Sequence, residues 1–223
     1  MISRVFRQLS VTALLLAVAA AANADNRFSP GFKGGLTIAN QSYSYADPGI
    51  QFGGDWRLGL AAGLSVERAC FSFLSVRMEI LYVEKGFKQS FMRTDEFGNV
   101  LGTLDMHSRL NDLAFNLLAK GSTPSRSYIL VGPRLDIKLS SSNDFINSFF
   151  DEIEGKYAET VFGLTFGLGQ ELRLAPHAML FIEGQYHVDL GKLYDYTAKG
   201  YDKITTLETV RNKAFTLFAG VRF

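Results

Sequence analysis

Between Thr160 and Leu172, in TVFGLTFGLGQEL, bulky and small positions alternate without a break. Phe162, Leu164, Phe166 and Leu168 share one face of an extended strand, and Val161, Gly163, Thr165, Gly167, Gly169 and Glu171 share the other. In a soluble sheet the bulky face would turn to the core and the opposite face would be polar and solvated. Here the opposite face carries three glycines and a carboxylate, which suits a cramped interior approached closely by other groups. The bulky face then needs an apolar medium outside the sheet. This predicts a membrane strand with lipid on one side and a narrow lumen on the other.

The same alternation predicts seven more strands, over Phe32–Gln41, Trp56–Glu67, Phe71–Lys85, Leu110–Gly121, Tyr128–Leu139, His177–Leu190 and Ala214–Phe223. Leu58, Leu60, Val76, Met78, Leu117, Ile129, Ile182, Phe215 and Leu217 fall on outward faces. Pro133 removes a ladder hydrogen bond and predicts a bulge or a local opening in its strand. The connections alternate in length. Long ones run over 42–55, 86–109, 140–159 and 191–212, and short ones lie near Arg68, Pro124 and Pro176. In the second long connection, TDEFGNV holds a turn signal at Gly98-Asn99 and predicts a hairpin that projects past the membrane. A soluble sandwich has no reason to sort its connections by parity. The pattern predicts an all-β, eight-stranded antiparallel up-and-down transmembrane β-barrel with clipped periplasmic turns and extended outer loops. Closure is required, because an open edge in hydrocarbon leaves peptide groups unpaired at several kcal/mol each.

The N-terminus supplies the compartment. Arg4 and Arg7 precede an apolar run from Val11 to Ala22 that ends in Ala22-Asn23-Ala24, the pattern of a secretory signal peptide over residues 1–24. Cleavage near Ala24 leaves a mature chain of residues 25–223 that starts at Asp25. No second apolar run is long enough for a spanning helix, so insertion is expected through strands.

Charge and composition narrow the function. In 223 residues the formal net charge is +1, so no broad basic field points to nucleic acid. Cys70 is the single cysteine. No His/Cys cluster has metal-ligand spacing, and no cofactor is implied. The inward faces carry Arg57, Glu67, Arg77, Glu79, Lys85, Arg134, Asp136, Glu171, Glu183 and Arg222, together with Lys138, His187 and Asp189. Eight strands enclose a space that side chains can fill, so this set is read as a polar lumen network of paired charges, with a narrow conduit for small solutes as the alternative. Enzyme signatures are weak. His107-Ser108 sets a base beside a hydroxyl without a spaced carboxylate partner, and His187 and Asp189 share a face without a nucleophile. The loop aromatics Tyr43, Tyr45, Phe52, Phe91, Phe145, Phe149, Phe150, Tyr194, Tyr196 and Tyr201 fit an interfacial girdle or a partner surface equally.

Glu79-Ile80-Leu81-Tyr82-Val83-Glu84-Lys85-Gly86 resembles a signature of the outer-membrane β-barrel domain family that includes the PorT-type proteins. Gly132-Pro133 and Gly167-Leu168-Gly169-Gln170-Glu171 match its habits, and the terminal Phe223 resembles the assembly signal of Gram-negative outer-membrane barrels. The resemblance implies an eight-stranded barrel in the outer membrane of a Gram-negative bacterium, with membrane lipid and the barrel-assembly machinery as partners. It leaves the activity open. The expected function is non-enzymatic, with extracellular loops that bind a partner, envelope component, secretion component or surface ligand; a lipid-modifying enzyme is the third reading. The mature protein is expected to start at Asp25 and to fractionate with the outer membrane. N-terminal sequencing of that fraction checks both, and recovery from the soluble periplasm would count against a lipid-embedded barrel.

Overall fold

The computed structural model describes residues 28–45, 55–95, 97–143, 158–191, 193 and 207–223. The signal peptide and several loop aromatics (Phe52, Phe145, Phe149, Phe150, Tyr194, Tyr196 and Tyr201) lie outside them. Eight strands follow in order: β1 Phe28–Tyr45, β2 Asp55–Ala69, β3 Leu74–Thr94, β4 Val100–Ser122, β5 Ser127–Asn143, β6 Thr160–Ala175, β7 Ala178–Asp189 and β8 Leu207–Arg222. Each pairs antiparallel with its sequence neighbours, and β1 pairs with β8 to close the barrel. Every described strand thus has a partner on both sides. This is the condition hydrocarbon imposes on any strand-built span.

Side-chain direction inverts the usual rule of an apolar inside. Leu58, Leu60, Met78, Ile129, Phe162, Leu168 and Leu217 are exposed on the outer wall, whereas Lys33, Arg77, Glu79, Lys85, Lys120, Arg134 and Glu183 are buried. On β6 the strict alternation places Val161 and Thr165 inside and Phe162, Phe166 and Leu168 outside. The interior is not wholly polar. Leu81, Val83, Ala61, Ala114 and Phe218 form one inner apolar cluster and Leu118, Tyr128 and Leu130 another.

Several boundaries differ from the sequence expectation. β3 starts at Leu74 rather than Phe71, because the N–H groups of Cys70 and Phe71 both donate to the Leu74 carbonyl and close a turn ahead of it. β8 reaches back to Leu207, held by pairing with β1 as far as Tyr45. The connection over 86–109 is largely strand, since β3 and β4 stay paired up to Thr94 and Val100. At Pro133 the ladder opens without a bulge. Asn116↔Arg134 and Ala119↔Val131 keep one register while the positions between them are unpaired on the β4 side. Gly132 sits in that gap, where an added Cβ would lie 2.0 Å from the Leu117 carbonyl oxygen.

The short turns, around Cys70, Pro124 and Pro176, gather at one end of the barrel and the long connections at the other. Between them runs the outward apolar band, in which Leu217 pairs with Leu36 on β1 and Gly184 on β7. Leu217→Arg is expected to lower barrel stability by about 2 to 4 kcal/mol, the cost of a cation near the bilayer midplane. Urea unfolding from lipid vesicles measures it; an unchanged midpoint would mean that this face does not meet lipid.

Candidate functional site in the barrel lumen

Two charge clusters fill the lumen, one above the other. The cluster nearer the short turns draws Lys33 from β1, Glu67 from β2, Arg77 and Glu79 from β3, Lys120 from β4, Glu171 from β6, Glu183 from β7 and Arg222 from β8. Alternate positions of antiparallel strands bring them to one level: Glu67 faces Arg77 across β2 and β3, and Arg222 flanks Met179 on β7 and Gly31 on β1. Arg77 is the hub. Its Nη1 donates to Glu183 at 2.6 Å, its Nη2 to Glu67 at 2.9 Å, and Glu79 and Glu171 stand 3.8 and 4.0 Å away. Lys33 bridges Glu79 and Glu183 at 2.7 and 2.9 Å. Lys120 joins Glu67 to Glu171, and Arg222 binds the same two carboxylates. The Tyr128 hydroxyl donates to Glu183 at 2.7 Å while its ring lies under Arg77 and Lys120. Four carboxylates thus face four cations, so the cluster balances.

The second cluster lies toward the long loops. Lys85 contacts Asp136 at 2.5 Å, Asp112 at 3.1 Å and Asp189 at 3.8 Å, and Arg134 donates its Nε to Asp136 at 2.7 Å. Between the clusters runs a chain of neutral groups. Asn116 Nδ2 donates to Glu79 at 2.9 Å, Asn116 Oδ1 accepts from Thr165 at 3.4 Å, and Thr165 Oγ1 meets His187 Nδ1 at 3.0 Å. Gln185 Nε2 donates to Glu183 at 2.7 Å. Removing ions from water costs several kcal/mol each, and only close pairing with added hydrogen bonds offsets it. The density of contacts is therefore a requirement of this interior.

Of the residues singled out from the sequence, Glu67, Arg77, Glu79, Glu171, Glu183 and Arg222 meet in the first cluster, and Lys85, Arg134 and Asp136 in the second. Arg57 joins neither. The pairing of β2 with β3 shifts between Trp56 and Ala61, and there the half-buried guanidinium donates to the Lys85 carbonyl at 2.6 Å. Lys33, Asp112, Asn116 and Lys120 are missing from the set read off the sequence, and all four are buried inside. A lysine or aspartate at the inward parity of a neighbouring strand is the signal that would have found them. His107 and Ser108 point to opposite faces of β4, with Ser108 buried, so they form no dyad. His187 bonds Thr165 rather than Asp189. Among the described residues no three His, Cys, Asp or Glu side chains converge as a metal site. An apolar recess of about 580 Å³ lies on the lipid face near Pro133, lined by Leu64, Met78, Phe115 and Phe162.

The family model of the outer membrane protein beta-barrel domain matches residues 10–223. No curated protein matches the chain. Among solved structures the chain is similar to Neisserial surface protein A, with 18% identity over 86% of this chain and 95% of that one at a TM-score of 0.44. It is similar to Ail, the attachment invasion locus protein of Yersinia pestis, solved with the heparin analogue sucrose octasulfate, with 11% identity over 88% and 99% of the two chains and a TM-score of 0.42. It is also similar to OprG from Pseudomonas aeruginosa, with 13% identity over 87% and 95% and a TM-score of 0.42.

The geometry around Glu183 gives a direct test. Lys33, Arg77, Tyr128 and Gln185 all donate to this one carboxylate. Glu183→Gln keeps its volume and leaves the buried cations short of one countercharge, which is expected to cost about 3 to 5 kcal/mol. Equilibrium unfolding in lipid vesicles checks it. A loss below about 1 kcal/mol, the scale of an exposed pair, would mean that water screens this cluster.

Proposed function

This chain belongs to the outer membrane protein β-barrel domain family, and from that premise we propose that it is a non-enzymatic outer-membrane protein that binds a partner through the extracellular ribbon formed by β3 and β4. The observation that carries this reading is the height of that ribbon. Among the described residues β3 pairs with β2 up to Lys88↔Asp55, and β4 pairs with β5 up to Ser108↔Asn143. β3 and β4 continue together to Thr94↔Val100, about 20 Å further at strand rise.

The tip is built to hold a shape. Asp95 Oδ1 accepts the N–H groups of Phe97 and Asn99, its Oδ2 accepts Asn99 Nδ2, and Gly98 takes a φ of +83°. The Asn99 side chain and backbone hold the Asp95 carboxyl below the usual carboxylate range. The turn therefore keeps these bonds at neutral pH and loses them as pH falls through that lowered value. On this fixed turn Phe97 is 87% exposed, with Met92, Val100 and Leu101 also exposed nearby. A rigid aromatic anchor at the end of an ordered arm loses little entropy on binding, which supports a docking role.

A lumen packed with paired charges supports a closed barrel over the small-solute conduit, and the separation of His107 from Ser108 argues against a lipid-modifying enzyme. Within the family, Glu79 to Gly86 supports a PorT-type placement. The leader ending at Ala24 supports export and cleavage in a Gram-negative envelope. Phe223 is exposed beside Phe32 at the end of the outward row, which supports its recognition by the barrel-assembly machinery.

A photoreactive phenylalanine analogue at position 97, irradiated on intact cells, is expected to give a discrete adduct that is lost when Val100→Ser and Leu101→Ser are combined. Surface-displayed protein that yields no adduct would remove the ribbon from the function. Purified barrel in planar bilayers is expected to show no steady conductance of porin size, and large reproducible openings would favour the conduit.

A further inference from the structure

Along the chain of groups that joins the two charge clusters, several buried side-chain atoms are without a protein partner. Arg134 is 1% exposed, yet it uses only Nε, on Asp136; Nη1 and Nη2 have no protein partner. His187 Nε2 and Gln185 Oε1 are equally buried and equally without one. Buried polar groups are satisfied in the great majority of native proteins. These orphans flank one chain of contacts, with Arg134 paired to Asn116, Asn116 bonded to Thr165, Thr165 to His187 and Gln185 two residues away on the same strand, so together they point to a guest.

The chemistry of the orphans selects that guest. Gln185 gives its Nε2 to Glu183 and Glu79, which fixes its free Oε1 as an acceptor. Asn116 gives its Nδ2 to Glu79, so its Oδ1 takes the single proton of the Thr165 hydroxyl. Thr165 must then accept from His187 Nδ1–H across their 3.0 Å contact. With the ring neutral, Nε2 is left as a lone pair. The layer thus offers donors at the Arg134 fork and acceptors at His187 and Gln185. An added cation would meet the guanidinium. An added anion would join Asp112, Asp136 and Asp189, which already outnumber Lys85 and Arg134 in that cluster.

We infer that the layer between the clusters is a binding site for small neutral hydrogen-bonding guests, occupied by ordered water that accepts from Arg134 and donates to His187 and Gln185. One buried water typically makes about three hydrogen bonds, and these orphans supply the partners. The site joins the two clusters into one hydrogen-bonded column without opening a path for ions. It stands apart from the ribbon, so failure of the docking reading leaves it untouched.

The test uses the full mature barrel, labelled with ¹⁵N and ¹³C and folded in lipid nanodiscs. At neutral pH the His187 nitrogen shifts are expected to report the Nδ1–H tautomer, and the His187 Hε1 proton is expected to show cross-relaxation with long-lived water. Arg134→Lys keeps the charge and removes the fork, and it is expected to weaken that water signal while the tautomer persists. An Nε2–H tautomer in the wild-type barrel would overturn the assignment of acceptors. A wild-type ring with no water contact would overturn the site itself, whether or not the variant folds.

Discussion

Arg77 stands within 4.0 Å of four carboxylates, and none of the five groups could occupy the lumen alone. A single ion held in that space would forfeit its hydration with nothing in return, at several kcal/mol. The inner apolar clusters around Leu81 and Leu118 fill only part of that space, because most of the bulky residues are committed to the lipid side. Pairing across the lumen is therefore what allows the outer face to be so apolar. It also ties strands that are not neighbours in the sheet: Lys33 on β1 reaches Glu183 on β7, and Lys120 on β4 reaches Glu171 on β6. The backbone ladder closes the ring and the ions brace it from within.

That bracing bears on the ribbon. β3 contributes Arg77, Glu79 and Lys85 to the lumen before it leaves the barrel, and β4 contributes Asp112, Asn116 and Lys120. The two strands of the ribbon are thus anchored at several levels below. Gly86, at a φ of +134°, sits where β3 leaves the lumen, and an added Cβ there would lie 2.0 Å from the Ser108 carbonyl oxygen. The exit of the ribbon is fixed by close backbone contact, and the tip by Asp95. The arm's backbone is thus held at its base and at its tip.

How much of this was legible in the sequence depended on contrast between neighbours. On β6 each glycine or carboxylate sits between bulky residues, so parity could be read and the inner and outer faces assigned. The reading was blind where apolar residues are contiguous. Leu81 lies between Ile80 and Tyr82, and Phe218 between Leu217 and Ala219, yet both are fully buried inside. Alternation carries no information in such a run. Strand length was underread for a related reason: above the membrane the outer face no longer needs to be apolar, so the signal stops while pairing continues, as it does over Gln89–Thr94. Arg57 keeps the inward parity, paired with buried Ala39, but beside a register shift between β2 and β3 its guanidinium bonds the Lys85 carbonyl instead of a carboxylate. Nothing in one sequence encodes that shift directly.

The seam between β1 and β8 runs from Gly31↔Arg222 to Tyr45↔Leu207, and the Phe223 N–H extends it by donating to the Pro30 carbonyl at 2.8 Å. These contacts join the first described strand to the last, so they are strongly non-local. Loop-closure entropy must be met before they form, which makes this topology slow to complete. Until β8 arrives, β1 presents an unpaired edge able to capture a strand of another molecule. The ring cannot be closed by a growing chain one hairpin at a time; it waits for β8, whose pairing completes the wall begun by β1.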